Sequence, residues 1–205
     1  MRNEELVNRY ESLLRSTKRE GIDNLIGYIR KTDFYTAPAS TRYHSCHEGG
    51  LLEHSLNVYD CLKQKATQKA WEEVFSNVGE DTIVVTALLH DLCKANMYIV
   101  EMKNKKVYSE YGKKIDSNGR FDWETVPGYT VDEKFPFGHG EKSVILSTNF
   151  IQLTPVELMA IRFHMGFTEP KEIWNTMTAA IRKYPLILAI HEADLESTYL
   201  LELEE

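Results

Sequence analysis

The feature that most constrains this chain is a histidine–aspartate pair at the end of an almost wholly apolar run. Ile83-Val84-Val85-Thr86-Ala87-Leu88-Leu89 leads directly into His90-Asp91. Such a run predicts a helix over Asp81–Lys94 that is buried on most sides. A carboxylate delivered into that setting without a partner would cost roughly several kcal/mol. A bound cation answers the problem; so does a buried Arg or a set of backbone donors.

Other positions narrow the choice. His54 shares a helical face with Val58 and Cys61. Asp194 follows Ile187, Ile190 and His191 on the apolar stripe of the last helix, and His164 ends the stripe Val156, Ala160, Phe163. Three helices therefore each place a nitrogen or oxygen donor on a core-facing side. One inward histidine is ordinarily a satisfied core residue, but three such helices beside an inward His-Asp pair are hard to explain as packing. Imidazole and carboxylate donors without thiolate suit a borderline or hard divalent ion, which lowers the pKa of bound water.

Around these positions the chain reads as mainly helical. Leu6, Tyr10, Leu13 and Leu14, then Ile22, Leu25, Ile26 and Ile29, predict N-terminal helices within 1–33. Gly49-Gly50 precedes a helix expected from about Leu51 to Ala70. Thr154-Pro155-Val156-Glu157 is a capping box with Pro at the first helical position, opening a helix to about Gly166. Pro185 opens the last one. Between Met97 and Glu133, alternation at Tyr98/Val100/Met102 and Phe121/Trp123, with turns expected at Lys103–Lys106 and Ser117-Asn118-Gly119, predicts a small inserted antiparallel sheet. At 205 residues, 42% hydrophobic and 27% charged, one globular domain over 1–205 is expected.

A net charge of −7, from 24 basic and 31 acidic residues, argues against a general nucleic-acid coat protein and leaves short fragments at most. A small phosphorylated substrate needs only a local cationic pocket. Cys46, Cys61 and Cys93 form no zinc-knuckle pattern and read as small core fillers in a reducing cytoplasm. The charged start, Met-Arg-Asn-Glu-Glu-Leu, shows no signal peptide, and the apolar runs are too short to span a bilayer. The sequence sets no oligomeric state.

The order His…His-Asp…Asp on a helical chain resembles the HD superfamily of metal-dependent phosphohydrolases. The matching pieces are Gly49-Gly50-Leu51-Leu52-Glu53-His54, Leu88-Leu89-His90-Asp91-Leu92-Cys93-Lys94 and His191-Glu192-Ala193-Asp194. Phe137-Gly138-His139-Gly140-Glu141-Lys142-Ser143 and Ile161-Arg162-Phe163-His164-Met165-Gly166 look like the two further histidines of binuclear members. Stand-alone bacterial and phage HD hydrolases, and the HD module of some bacterial 3′–5′ exoribonucleases, are the similar groups. The resemblance implies an HD-domain helical bundle in which His54, His90, Asp91 and Asp194 hold one cation. Asp91 would bridge to a second, completed by His139 and His164. One or two ions of Mn, Co, Ni, Zn or Fe, with Mg admissible, would supply a hydroxide that attacks phosphorus. His90 and Asp91 would be catalytic with Lys94, which would also balance a substrate phosphate; a snorkelling surface Lys is the bland alternative for that position. A nucleotide-like phosphomonoester or phosphodiester is the implied substrate. The Gly-Tyr-Pro run of cyclic-di-nucleotide phosphodiesterases is absent, so that substrate is not expected.

Weaker signals surround this set. Arg42 and His44 are candidate substrate contacts, as is Arg162, but His44 and His47 read more readily as loop residues. Lys142 and Arg162 neighbour proposed ligands without necessarily sharing their direction, since adjacent helical residues point about 100° apart. His191 is either an orienting partner of Asp194 or a helix-surface hydrogen bond. Trp123, Tyr129 and Phe135 offer a stacking platform or plain packing for the insert. The tail Glu202-Leu203-Glu204-Glu205 reads as a solvated helix end. Two rival functions share the ligand order: a di-iron HD-type oxygenase, and a non-catalytic nucleotide-binding HD module, for which a degraded ligand set would be the mark.

Overall fold

The computed structural model describes residues 4–202. It is mainly α with a small inserted antiparallel sheet. The N-terminal pair is α1 (Glu4–Ser16) and α2 (Ile22–Ile29). In α1 the buried Val7, Tyr10 and Leu14 recur at helical spacing, while Glu4 and Glu5 occupy the first turn and Arg15 the last, as the helix dipole favours. Met1, Arg2 and Asn3, at the charged start, and Leu203, Glu204 and Glu205, in the acidic tail, lie outside the described residues.

The centre is α5 (Glu80–Leu89), in which every residue from Ile83 to Leu89 is buried. It packs against α1, α3 (Gly50–Lys65) and α7 (Pro155–Phe163). The Tyr10 hydroxyl crosses from α1 to donate to the Leu88 carbonyl at 2.8 Å. Burying side chains of this kind stabilises the fold by about 1.5–3 kcal/mol each. Gly49 and Gly50 have separate reasons. Gly49 has φ +87°, a left-handed conformation that disfavours other residues, and a Cβ on Gly50 would lie 2.0 Å from the Ser45 carbonyl oxygen. The pair lets α3 start hard against the preceding loop, which sets the depth of His54.

Helices are shorter than the apolar patterns predict. The α3 helix stops at Lys65, with a 3-10 turn at Lys69–Trp71 before α4 (Glu72–Phe75). α5 stops at Leu89, and the chain re-forms a 3-10 turn only at Leu92–Lys94. His90 and Asp91 therefore sit at a break and not inside a helix. The capping box at Thr154 is present in full, but α7 ends at Phe163, short of Gly166. α6 (His139–Thr148), α8 (Trp174–Lys183) and α9 (Leu186–Glu196) complete the helical part, and a π-helical turn, Ser197–Leu201, follows α9.

The insert comprises β1 (Tyr98–Tyr108), β2 (Lys114–Asp116) and β3 (Gly119–Val131), in the order β1-β3-β2. Ser117-Asn118 makes the β2–β3 turn. The turn expected at Lys103–Lys106 does not exist. β1 runs straight through, pairing Lys103 with Val126 and Lys106 with Trp123. Polar residues on an edge strand protect it from stray pairing and imitate a turn in the sequence. No helix among the described residues is long and apolar enough to cross a membrane.

Candidate metal centre

His90 and His164 are built the same way. Each is the residue just past a helix, α5 and α7 respectively, and each Nδ1–H donates to the carbonyl three residues back, Ala87 or Ile161, at 2.7 Å. That bond fixes the tautomer and turns Nε2 away from the helix. The C-terminal ends of α5 and α7, which carry partial negative charge, thus finish at one place.

His54 reaches the same place from the first turns of α3. Its Nδ1 lies 3.1 Å from both oxygens of Glu202, which leaves Nε2 facing inward. Around that nitrogen are His90 Nε2 at 3.3 Å, Asp194 Oδ1 from α9 at 3.3 Å and Asp91 Oδ2 at 3.5 Å. Asp91 divides its two oxygens. Oδ2 faces His54, His90 at 3.4 Å and Lys94 Nζ at 2.7 Å, while Oδ1 faces His139 Nε2 at 2.6 Å and His164 Nε2 at 3.6 Å. All six sequence-selected ligand positions therefore meet in one cluster, and His54, His90, Asp91 and His164 are buried.

Electrostatics fits a cation position. Burial raises the pKa of Asp91, but Lys94, His90 and His139 outweigh it and hold the carboxyl well below its usual range. Burial opposes a charge on His54, yet Asp194 and Glu202 raise its pKa to about 9. His139 is likewise raised to about 9, burial being outweighed by Cys93 and Asp91. Asp194 is depressed, with burial overcome mainly by its bond to His54. A metal-free cluster of this kind is held together by protons shared between imidazoles and carboxylates. One nitrogen of the cluster is left over: His164 Nε2 is buried without a hydrogen bond. A buried, unbonded imidazole nitrogen 3.6 Å from the Asp91 carboxylate, with the His90 and His139 rings beside its own, is what a divalent cation would satisfy, so the donor set fits one.

Three residues do more than the sequence suggests. Cys93 is buried, but its Sγ lies 3.4 Å from His139 Nδ1, so it is a neighbour of the cluster as well as a filler. Glu202 is only 7 % exposed and bonds His54, Ser45 and Asn57, which corrects its reading as a solvated helix end. His191 donates from Nδ1 to the His164 carbonyl at 2.8 Å, bracing that residue and not Asp194. No local pattern marks Glu202; only the fold brings it to His54.

The remaining candidates separate. His44 lines a cavity of about 280 Å³ beside Asp91, Lys94, Asp194, Tyr43 and Tyr199, and both its ring nitrogens are buried without hydrogen-bond partners. Arg42 is exposed and does not line that cavity, and His47 is exposed beside Glu53. Arg162 is engaged by Glu141 and by Glu169 at 2.6 Å, and Lys142 by Glu133 at 2.7 Å. In the insert Trp123 lies against Phe121, Phe135 is stacked on Phe137, and none of Trp123, Tyr129 and Phe135 lines the cavity. A larger groove of about 950 Å³ runs past Arg19, Asp81 and Thr154. Its arginine is already taken by Glu157 and by Asp81 at 2.7 Å, whereas the smaller cavity opens onto Asp91, Lys94 and Asp194.

Over 64 residues, 31% of this chain, the sequence is 42% identical to a dihydroneopterin 2′,3′-cyclic phosphate phosphodiesterase of Methanocaldococcus jannaschii. The matched stretch spans 25% of that relative's length. No family model matches the chain, and no solved structure matches it.

Proposed function

We propose that this chain is a metal-dependent phosphohydrolase of the HD superfamily, a single domain over 1–205 that hydrolyses a small phosphate ester. The observation that carries the reading is the divided Asp91 carboxylate, with one oxygen facing His54 and His90 and the other facing His139 and His164. A carboxylate so placed suits two neighbouring cations. His54, His90, Asp91 and Asp194 would hold one; Asp91, His139 and His164 would hold the other. When bound, such ions lower the pKa of coordinated water and offset charge on phosphoryl oxygens.

The chain's own residues supply the rest. Lys94 reaches Asp91 Oδ2 from the next turn and lines the cavity, so its ammonium balances both the shared carboxylate and an arriving phosphate. His44, with both nitrogens unbonded and buried at that wall, offers a further contact to the substrate. Arg42 and Arg162 remain secondary candidates, the latter only if it leaves Glu141 and Glu169. The similarity to a cyclic-phosphate phosphodiesterase supports phosphoester hydrolysis and makes 2′,3′-cyclic phosphates of nucleosides and other ring-bearing alcohols the first substrates to try.

The test is elemental analysis of chelator-free protein, followed by a phosphoester panel led by those cyclic phosphates. About two equivalents of Mn, Co, Ni, Zn or Fe per chain with turnover of a panel member is the expected result. No metal uptake after reloading would overturn the reading. An iron-loaded, coloured protein that consumes O₂ and cleaves no phosphoester would replace it with oxygenase chemistry.

A further inference from the structure

We propose that Glu202 is a positioning residue of the metal centre: its buried carboxylate holds His54 Nδ1–H and thereby aims Nε2 at the cation position. The proposal rests on the cation reading above and adds a residue to it. Both Glu202 oxygens lie 3.1 Å from His54 Nδ1. Ser45 Oγ donates to the same carboxylate at 2.9 Å, Asn57 Nδ2 donates at 2.9 Å, and the Ser197 hydroxyl completes the set. Donors from the loop before α3, from α3 itself and from the turn after α9 thus converge on one anion. A carboxylate only 7 % exposed and bonded on all sides has one orientation, and it passes that orientation to the imidazole.

The backbone is shaped to deliver it. Regular α-helix ends at Glu196, and the next turn is π-helical, with Glu202 N bonding the Ser197 carbonyl at 3.1 Å. The wider turn brings the Ser197 and Glu202 side chains to the same histidine. Turns of this kind are rare and recur at functional sites. The contrast within the cluster supplies a second argument. His90 and His164 give their Nδ1–H to neutral backbone carbonyls, whereas His54 gives its own to an anion. A carboxylate partner makes an imidazole a stronger donor to a cation than a carbonyl does. Asn57 and Ser197 are therefore part of the same support, one step further out.

The experiment compares wild type with Glu202→Ala and Glu202→Gln. Zinc dissociation constants are read by competition with a chromophoric chelator at constant pH, alongside metal per chain at saturation and the melting curve of the metal-free protein. Glu202→Ala is expected to weaken the tightest cation by about 10–100-fold with stoichiometry at saturation unchanged. Glu202→Gln keeps an acceptor oxygen for Nδ1–H but no charge, and is expected to fall between; it also serves if the Ala variant fails to fold. An unchanged dissociation constant in both variants overturns the proposal. Loss of a whole equivalent at saturation overturns it in favour of Glu202 as a direct ligand with His44 and His54. A wild-type chain that takes up no zinc overturns the cation reading, and this inference with it.

Discussion

The two ends of the donor cluster are built differently. At one end His54 is fully buried and tied through Glu202 to a loop, a helix and the last turn of the described chain. At the other, His139 keeps 27% of its side-chain surface exposed. It opens α6 directly after the insert, with Asp91 on one ring nitrogen and the Cys93 thiol near the other. The first end is over-determined: Ser45, Asn57 and Ser197 all donate to the carboxylate that holds His54. The second pairs the firmly held His164 with the partly exposed His139, whose Nε2 is bonded to the carboxylate it would have to share. Preorganisation thus falls off across only a few ångströms, from the tail side of the cluster to the insert side.

The largest effect should come from the residue common to both ends. Asp91→Ala is expected to abolish metal retention and lower kcat/KM by more than the roughly 100-fold typical of an outer-shell partner. A variant with wild-type kcat/KM would leave nothing of a shared carboxylate. His139→Ala should break one end alone, reducing bound metal by about half while the His54 end still loads. Metal content that stays whole, or vanishes, would erase the distinction between the ends.

A pH titration sharpens the comparison further. His54 and His139 have pKa values near 9 in the metal-free fold, against about 6.5 for an unfolded histidine. Both are raised, so their contribution to stability is complete below about pH 6.5 and is lost as pH rises through about 9. Chelated protein should therefore melt lower at pH 9.5 than at pH 6.5, with His139→Ala retaining the share that belongs to His54. Metal affinity should run the other way, rising with pH as those protons leave. A chelated protein whose melting temperature rose over this range would contradict the assignment. The smallest effect is reserved for a distant support. Thr154→Ala removes the capping box of α7, and is expected to cost about 1 kcal/mol in urea unfolding with metal content unchanged.

Much of this is legible in the amino-acid sequence. The apolar run into His90-Asp91, the Gly-Gly before α3 and the capping box at Thr154 are local signals with local causes, and each marks a helix that carries a donor, α5, α3 and α7. What escapes does so for physical reasons. Helix ends are overrun because apolar periodicity continues past the last helical residue, through the His90-Asp91 break and on to His164. The Lys-Asn-Lys-Lys stretch has the composition of a turn but the environment of an edge strand, and pairing along the whole of β1 outweighs composition. Glu202 carries no signature, because a buried and a solvated terminal glutamate have the same neighbours in sequence. Only the packing of α9 beside α3 tells them apart.

The closed base of the insert has a consequence for how such a chain can vary. Just after Lys94 the chain leaves the helices, and just before His139 it returns; at that neck Asp132 N bonds the Met97 carbonyl at 2.8 Å. The distance between Asp91 and His139 is therefore set at the neck and not by what lies beyond it. Rungs added to or removed from the far end of the ladder would alter the reach of the arm while leaving the donors in register. Closing a longer loop would itself add only about 0.6 kcal/mol per doubling. The arm is thus a segment that can be lengthened, trimmed or exchanged as a cassette while the buried centre stays constant.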